Sequence, residues 1–285
     1  MRIHTIILLL MIQTGFAQTS KSLKWIGGPT FLLQLGSFKI LSDPMLGNKT
    51  DSAFIINKHP TTGETNSSIK RLVDPASMDL NGIDLLLISH THPDHVDVKA
   101  KTILSKDISV ITTRSGVADF QKSHFSNVKA LQWNDSTRII RDGEELLIIA
   151  VKALHAGEEP LRSALGEVNG YVLEYSNGSM VYRTYWTGDT VWFNEINDLS
   201  RLGQINLFIP HMGGVGAKGP FGLRSLDTHE CLKIMNALSP ELTIPVHHTT
   251  FSHYDVPVKD LQKAFKTGGS GKLIVPKAGK TISLD

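Results

Sequence analysis

The sequence predicts a mixed α/β sandwich, and two observations on the spacing of its apolar residues support this fold class. Early in the chain, the apolar runs 31–35 and 38–41 flank Gly36 and Ser37, a pattern typical of a β-hairpin. Further along, short apolar runs typical of buried strands alternate with segments of helical spacing. Strands joined first by hairpins and later through helices are typical of mixed α/β folds.

The remaining elements follow in order along the chain. Residues 44–82 are rich in Pro, Asn, Ser, Thr and Gly, and we expect a long irregular excursion there. The apolar run 83–89 predicts a buried strand that ends directly at a group of histidines. Later strands are expected at 108–112, 128–131, 146–153, 171–175, 180–186, 205–209 and 242–246. Helices are expected at 98–104, 116–122, 192–202, 227–238 and 258–265.

The composition fits one large domain, which we place at residues 18–285. The chain has 285 residues, of which 41% are hydrophobic, enough to bury a substantial core. The net charge is only +2 and the Lys and Arg residues are scattered, so nucleic acid is not expected as a partner. A small-molecule substrate is expected instead, and the oligomeric state is left open.

Residues 1–17 are predicted to be a signal peptide. Arg2 gives a positively charged N-terminal region, residues 6–12 form an apolar run, and residues 15–17 resemble a signal-peptidase cleavage site. The apolar run is much shorter than the roughly 20 residues that span a bilayer, so no stable membrane insertion is expected after cleavage. Export to the periplasm or the medium follows from this interpretation. An uncleaved membrane anchor and a first buried strand are the alternatives.

The single cysteine, Cys231, excludes an intrachain disulfide. Cys231, Ile234, Met235 and Leu238 recur at helical spacing, which favours a buried core position for the thiol over a role as ligand or nucleophile. At the start of the same predicted helix, Asp227 and Glu230 are placed as a capping pair.

A group of four polar residues, His90, His92, Asp94 and His95, follows the predicted strand 83–89. In a turn, this spacing lets His90 and His92 point to one side while Asp94 and His95 point to the other, so that two ions can be held. Imidazole and carboxylate ligands suit zinc, iron or manganese. The alternative is a polar surface loop that happens to contain three histidines.

Three later residues complete a set of ligands for two ions. His155, Asp189 and His247 each come directly after a predicted strand. Each alone is weak support for a metal site, but polar residues at strand ends are often brought together on loops that a rigid sheet supports. Together with the first group they predict a binuclear metal centre.

These motifs resemble the metallo-β-lactamase superfamily. They are Ser89-His90-Thr91-His92-Pro93-Asp94-His95, Leu154-His155, Thr187-Gly188-Asp189 and Pro245-Val246-His247. Within the superfamily the chain is most similar to the branch of ascorbate-6-phosphate lactonase-like proteins and N-acyl-phosphatidylethanolamine phospholipase D. Thr250, Phe251 and a helix starting near Asp227 are the cues for this branch. The resemblance implies a four-layer αββα sandwich with the metals at one edge of its sheets.

The resemblance also implies a role for each candidate ligand. One divalent ion would be held by His90, His92 and His155, the other by Asp94, His95 and His247, with Asp189 bridging both. Two zinc ions are expected, with manganese or iron as alternatives. A hydroxide bridging the ions would be the nucleophile, because metal binding strongly lowers the pKa of water, and Asp94 would help to hold it.

Three positions depart from the pattern of this branch. Gly28 stands where relatives often have a histidine, and His248 where they often have an aromatic residue; His211 is also unexpected. His211 and His248 are therefore candidate proton donors to the leaving group. The alternative for each is a hydrogen-bonded structural histidine.

The function predicted is that of an exported binuclear hydrolase that cleaves an ester, lactone, amide or phosphodiester. Lactonase or phosphodiesterase chemistry is favoured by the resemblance. A β-lactamase-type amide hydrolase is disfavoured, because most zinc β-lactamases of the main subclass have a cysteine where this chain has Asp189. A nuclease of the same superfamily and a non-catalytic metal-binding protein of the same fold are also considered.

Overall fold

A computed structural model of the chain describes residues 21–50, 54, 60–65, 68–219 and 222–285. The predicted signal peptide, residues 1–17, lies outside the described residues. The described chain is built on two seven-stranded sheets.

The first sheet contains the early strands and the last one. Its order is β14-β1-β2-β3-β4-β5-β6. The neighbours from β14 to β3 are antiparallel, whereas β3 to β6 are parallel. The strands are β1 (Lys21–Gly27), β2 (Thr30–Leu35), β3 (Phe38–Ser42), β4 (Leu85–Leu87), β5 (Ser109–Thr112), β6 (Val128–Ala130) and β14 (Thr281–Ser283).

The second sheet has the order β13-β12-β11-β10-β9-β8-β7. The strands from β7 to β10 pair antiparallel, and those from β10 to β13 pair parallel. They are β7 (Ser136–Arg141), β8 (Glu144–Lys152), β9 (Asn169–Ser176), β10 (Val181–Trp186), β11 (Leu207–Ile209), β12 (Leu242–Thr243) and β13 (Lys272–Leu273).

Helices cover the outer faces of both sheets. They are α1 (Val98–Ile103), α2 (Arg114–Lys122), α4 (Thr228–Leu238), α5 (Val258–Gly268) and a 3₁₀ helix at Asn194–Leu202. A further short helix, α3 (Leu161–Leu165), has no buried residue. One apolar cluster lies between the sheets and includes Leu33 and Trp186. A second packs α4 and α5 on the second sheet, and a third packs α1 and α2 on the first. Three apolar layers between four structural layers confirm the predicted αββα sandwich.

Several local predictions differ from the structure in instructive ways. The helix predicted at 192–202 is a 3₁₀ helix over Asn194–Leu202. The strand predicted at 242–246 is only two residues long, Leu242–Thr243. Pro245, which has no N–H to donate to a ladder, follows soon after it.

Two predictions concern α4: the buried position of Cys231, and the capping pair of Asp227 and Glu230. Cys231 is fully buried in the core, as expected from its spacing. The side chain of Asp227 caps α4 by accepting a hydrogen bond from the Glu230 amide at 2.8 Å. The Glu230 carboxylate, however, interacts with the backbone of Trp192. None of the helices in the described ranges has the length and apolar character needed to cross a bilayer.

Candidate metal centre

All seven predicted ligands lie at one edge of the two sheets, because each follows the end of a strand. His90 comes shortly after β4, His155 after β8, Asp189 after β10 and His247 after β12. The Asn169 amide donates to the Ser89 carbonyl at 3.0 Å and thereby joins the two sheets beside the centre. Six of the seven ligands are buried, and His92 is half-buried.

Three imidazoles form the first cluster. The Nε2 atoms of His90 and His155 each lie 3.0 Å from Nδ1 of His92. A tetrahedral zinc ion with Zn–N bonds of about 2.05 Å holds its nitrogen ligands about 3.3 Å apart. The observed spacing is therefore close to that of three ligands around one small cation.

The hydrogen bonds of these rings show where their protons are. Nδ1 of His155 donates to the Arg224 carbonyl at 3.0 Å, and Nε2 of His92 donates to the Leu165 carbonyl at 2.9 Å. Nδ1 of His90 lies 3.0 Å from the Ser89 hydroxyl. That hydroxyl accepts from His90, because it donates its own proton to the Asp43 carboxylate at 2.5 Å. In neutral rings, the three converging nitrogens thus carry lone pairs.

Converging lone pairs repel one another unless a proton or a cation lies between them. Burial lowers the pKa of His90 well below 6.5, that of His92 to about 4 and that of His155 below its ordinary value. Protonation near neutral pH therefore does not relieve the repulsion. A divalent metal ion does, so the donor set fits the predicted group.

The second cluster combines imidazoles with carboxylates. Nε2 of His95 lies 3.4 Å from Asp189 and 4.0 Å from Asp94, and Nε2 of His247 lies 3.5 Å and 3.9 Å from the same carboxylates. Both Nε2 atoms are buried without a hydrogen-bond partner among the described residues. Asp189 also lies 3.9 Å from Nε2 of His155, so its carboxylate stands between the two clusters.

The carboxylates and some of the imidazoles of the second cluster stabilise one another's charged forms. Burial alone would raise the pKa of Asp94 and of Asp189, but the nearby histidines outweigh it and hold both pKa values well below the usual range. Burial lowers the pKa of His247 to about 3. Burial also opposes a charge on His95, yet Asp189 and Asp94 raise its pKa well above 6.5. The centre thus has two ionised carboxylates that can balance divalent cations.

Asp43 orients part of this centre, and the sequence analysis did not include it among the site residues. Its buried carboxylate accepts from Nδ1 of His95 at 2.7 Å and from the Ser89 amide at 2.7 Å. A histidine ligand held by a carboxylate on its other nitrogen is a common arrangement at metal sites. The position of Asp43 at the end of β3 is the signal that could have identified it.

His253 is the second residue that the sequence analysis missed. Its Nε2 lies 3.0 Å from the Asp94 carboxylate. The ring packs near Phe251 and Tyr254, on the segment that follows His247. The signal was a third histidine close after His247 and His248, but no periodic pattern indicated where its side chain would point.

His211, a candidate proton donor, lies fully buried behind Asp189. Its Nδ1 is 2.9 Å from the Asp189 carboxylate, and its Nε2 accepts a hydrogen bond from the Trp186 indole at 2.7 Å. Although His211 also belongs to a group of side chains spaced closely enough to hold a metal, its two ring nitrogens already have partners. This geometry matches a ring that holds Asp189 in place.

His248, the other candidate proton donor, packs against Trp25 with ring centroids 4.4 Å apart. Its Nδ1 lies 3.1 Å from the Thr249 hydroxyl, whereas its Nε2 is buried with no hydrogen-bond partner in the described part of the chain. Burial lowers the pKa of His248 to about 4, so the ring is neutral near pH 7.

Two cavities flank the metal clusters. The larger, about 880 Å³, is lined by Thr91 and Pro93 of the histidine loop and by the aromatic rings of Phe54 and Phe251. The other, about 510 Å³, is lined by residues 156–161, which directly follow His155, and by Val191 and Trp192, which come shortly after Asp189. The loops that carry the ligands therefore also form walls of space large enough for small organic molecules.

The chain belongs to the family described as the beta-lactamase superfamily domain, which matches residues 40–248 and so includes every predicted ligand. Among similar proteins, UPF0173 protein YddR of Bacillus subtilis is 25% identical over 262 residues, 90% of this chain and 98% of that protein. A UPF0173 metal-dependent hydrolase of Pyrococcus abyssi is 24% identical and covers 92% of this chain and 98% of its own length.

A longer relative and two solved structures extend the comparison. The mitochondrial N-acyl-phosphatidylethanolamine-hydrolyzing phospholipase D of Saccharomyces cerevisiae is 25% identical over 92% of this chain, which spans 55% of that protein. An isothiocyanate hydrolase from Delia radicum gut bacteria superposes with a TM-score of 0.75 at 22% identity, covering 92% of this chain and 99% of its own. A metallo hydrolase of Ignicoccus hospitalis superposes with a TM-score of 0.66 at 18% identity, covering 94% of this chain and 99% of its own. These two structures show the same fold.

Proposed function

We propose that this chain is a metal-dependent hydrolase that holds two divalent ions and cleaves an ester, lactone or phosphodiester bond of a small molecule. Zinc is the expected metal at both positions. The observation that carries the proposal is the convergence of three imidazole lone pairs next to a carboxylate shared with a second cluster. The relatives named as metal-dependent hydrolases support it.

The two ions have separate ligands and one ligand in common. The first would be held by His90, His92 and His155, the second by Asp94, His95 and His247, with Asp189 reaching both. When bound, such ions would lower the pKa of a coordinated water and offset negative charge on the oxygens of a substrate.

The residues around the ligands hold them in productive orientations. Asp43 accepts the Nδ1 proton of His95 and so makes Nε2 the nitrogen that would coordinate once a cation replaces its proton. The Met212 carbonyl does the same for His247 at 2.9 Å. His211 fixes one oxygen of Asp189, and His253 fixes one oxygen of Asp94. We infer that His211 acts by positioning Asp189, while a role of His248 in proton donation stays a prediction.

Export with a cleaved leader at residues 1–17 also stays part of the proposal, as does a single domain over residues 18–285. Both rest on the sequence pattern. The N-terminal sequence of protein purified from the source cells would test the leader.

A substrate panel tests the proposed reaction. We expect zinc-loaded protein to hydrolyse bis(p-nitrophenyl) phosphate, p-nitrophenyl esters or simple lactones, and a chelator to abolish the activity until zinc is restored. Hydrolysis of a β-lactam such as nitrocefin alone would instead favour the amide hydrolase. Metal-loaded protein inactive on the whole panel would contradict the proposal.

A further inference from the structure

The larger of the two cavities begins where the metal centre is least buried. Of the seven predicted ligands, six are buried and His92 is half-buried. Its neighbours along the chain, Thr91 and Pro93, both line the larger cavity, and Pro93 is exposed. A molecule that approaches the centre beside His92 therefore has this cavity next to it.

A second set of contacts joins the same cavity to the other metal cluster. Phe251 lines the cavity, and the centroid of its ring lies 5.8 Å from that of His253. Nε2 of His253 in turn lies 3.0 Å from the Asp94 carboxylate. One side chain thus separates the cavity wall from a predicted ligand of the second ion, so the cavity adjoins both clusters.

The floor of the cavity is apolar. It contains the buried side chains of Met45, Ile69 and Phe251, which pack together in a small cluster of their own. Val98, at the start of α1, lines the same space and is 78% exposed. Covering apolar surface of this kind with another apolar group removes it from water and stabilises a complex.

The charged side chains around the cavity already have partners within the protein. They are Arg71, Asp97, Lys99, Lys101 and Asp119. Lys101 and Asp119 form an ion pair at 2.6 Å. The Asp97 carboxylate caps α1, and the Lys99 ammonium donates to the Asn48 side chain at 3.2 Å. A guanidinium N–H of Arg71 donates to the Met45 carbonyl at 2.9 Å. A charged ligand would have to compete with these partners, so the lining favours an uncharged, apolar group.

We propose that the larger cavity is the subsite for a hydrocarbon chain of the substrate, an acyl or alkyl group attached next to the bond that is cleaved. This inference rests on the proposed function, because it places the cleaved bond at the metal centre. A volume of about 880 Å³ lies within the usual range of pockets for small organic ligands. A small hydrophilic substrate would leave the apolar floor uncovered.

The test compares alkylphosphonates of different chain length by calorimetry with zinc-loaded protein. The phosphonate group is the oxyanion that the metal ions attract, and the alkyl group is the probe of the cavity. Burying one methylene group strengthens binding about fourfold. Hexylphosphonate should therefore bind about 50-fold more tightly than methylphosphonate, as the burial of about three of its added carbons implies.

The variant Val98→Asp places a charge on the wall of the cavity. Val98 is exposed in the first turn of α1, where an acidic side chain is favourable, so the fold should tolerate the change. The ratio of the affinities for hexylphosphonate and methylphosphonate should fall about tenfold, because the chain loses the burial of roughly two methylene groups. Taking the ratio cancels any repulsion between the new carboxylate and the phosphonate.

The matched control is Ile140→Asp, which makes the same kind of change at another exposed apolar residue. Ile140 pairs with Glu145 near the start of β8, whereas His155 follows the end of that strand. The control therefore carries its new charge far from the metal centre. Its ratio of affinities should equal that of the wild type.

The outcomes separate this inference from the proposed function. Equal affinity of the zinc-loaded wild type for both phosphonates, or binding of neither, would overturn the hydrocarbon subsite. A ratio that Val98→Asp leaves unchanged would overturn it as well, since the chain would then bind elsewhere. A wild-type chain that binds no zinc would contradict the proposed function itself, and this inference with it.

Discussion

His211 is bound to Asp189 through Nδ1 at 2.9 Å, and the Trp186 indole occupies its other ring nitrogen at 2.7 Å. Because Trp186 donates to Nε2, the proton of the neutral ring must be on Nδ1, facing the carboxylate. The three residues come from β10 and the two loops that follow β10 and β11. His211 therefore holds in place the Asp189 carboxylate, which lies between the two clusters.

The first prediction tests this support. His211→Ala should weaken zinc binding by about 10- to 100-fold, the usual effect of losing a residue that orients a metal ligand. Competition with a chromophoric chelator measures the affinity. The matched control is His229→Ala, which removes an exposed histidine from α4. Unchanged zinc affinity with a large loss of kcat would point instead to a proton donor at His211.

The second prediction concerns the ligands of the two clusters. His92→Ala removes a ligand from the first cluster only, whereas Asp189→Ala removes the carboxylate that both clusters share. We expect about one zinc ion per chain for His92→Ala and less than one for Asp189→Ala, with hydrolysis abolished in both. Elemental analysis of dialysed protein gives the ratio. Wild-type zinc content in Asp189→Ala would show that the carboxylate is not a ligand.

The third prediction concerns the single cysteine. Cys231 is fully buried between α4 and the second sheet, and burial raises the pKa of its thiol. Cys231→Ala should therefore retain wild-type zinc content and activity while losing about 1 kcal/mol of stability, as small deletions in a core do. Urea unfolding measures the loss. An inactive but folded Cys231→Ala would show that the ligands have been assigned to the wrong residues.

The fourth prediction concerns the pH dependence of stability through Glu230. Burial raises the pKa of this carboxyl from 4.5 to about 7 in the folded chain. Between these pH values the folded state binds more protons than the unfolded state, so this group lowers stability as pH rises through that window. Glu230→Gln should therefore lose less stability than the wild type between pH 5 and pH 7.5.

Urea unfolding at both pH values measures this difference in stability. The metal-free protein is used so that metal binding does not contribute to the comparison. Glu158→Gln, a change at an exposed glutamate, serves as the control and should follow the wild type. If Glu230→Gln lost as much stability as the wild type, the raised pKa of Glu230 would be wrong.

The sequence predicted the fold class and the neighbourhood of the ligands because both depend on strand ends. His155, Asp189 and His247 each follow an apolar strand, and strands of a sandwich bring their ends to a common edge. The edge strand β7 was missed because its half-exposed alternation lacks the continuous apolar run of a buried strand.

The contacts between distant segments were harder to predict. Asp43 contacts His95 across 52 residues of sequence and His253 contacts Asp94 across 159, so no local spacing indicated these partners. The tautomer of His211 depends on an indole and a carboxylate that only the folded sheet brings together.

The central claim is that two ions share Asp189. The measurement that tests it most directly is anomalous scattering at the zinc absorption edge from crystals of the zinc-loaded protein. We expect two peaks, one among the ring nitrogens of His90, His92 and His155 and one beside His95, His247 and Asp94, both in contact with Asp189. A single peak, or a peak that has His211 as a ligand in place of Asp189, would contradict the account.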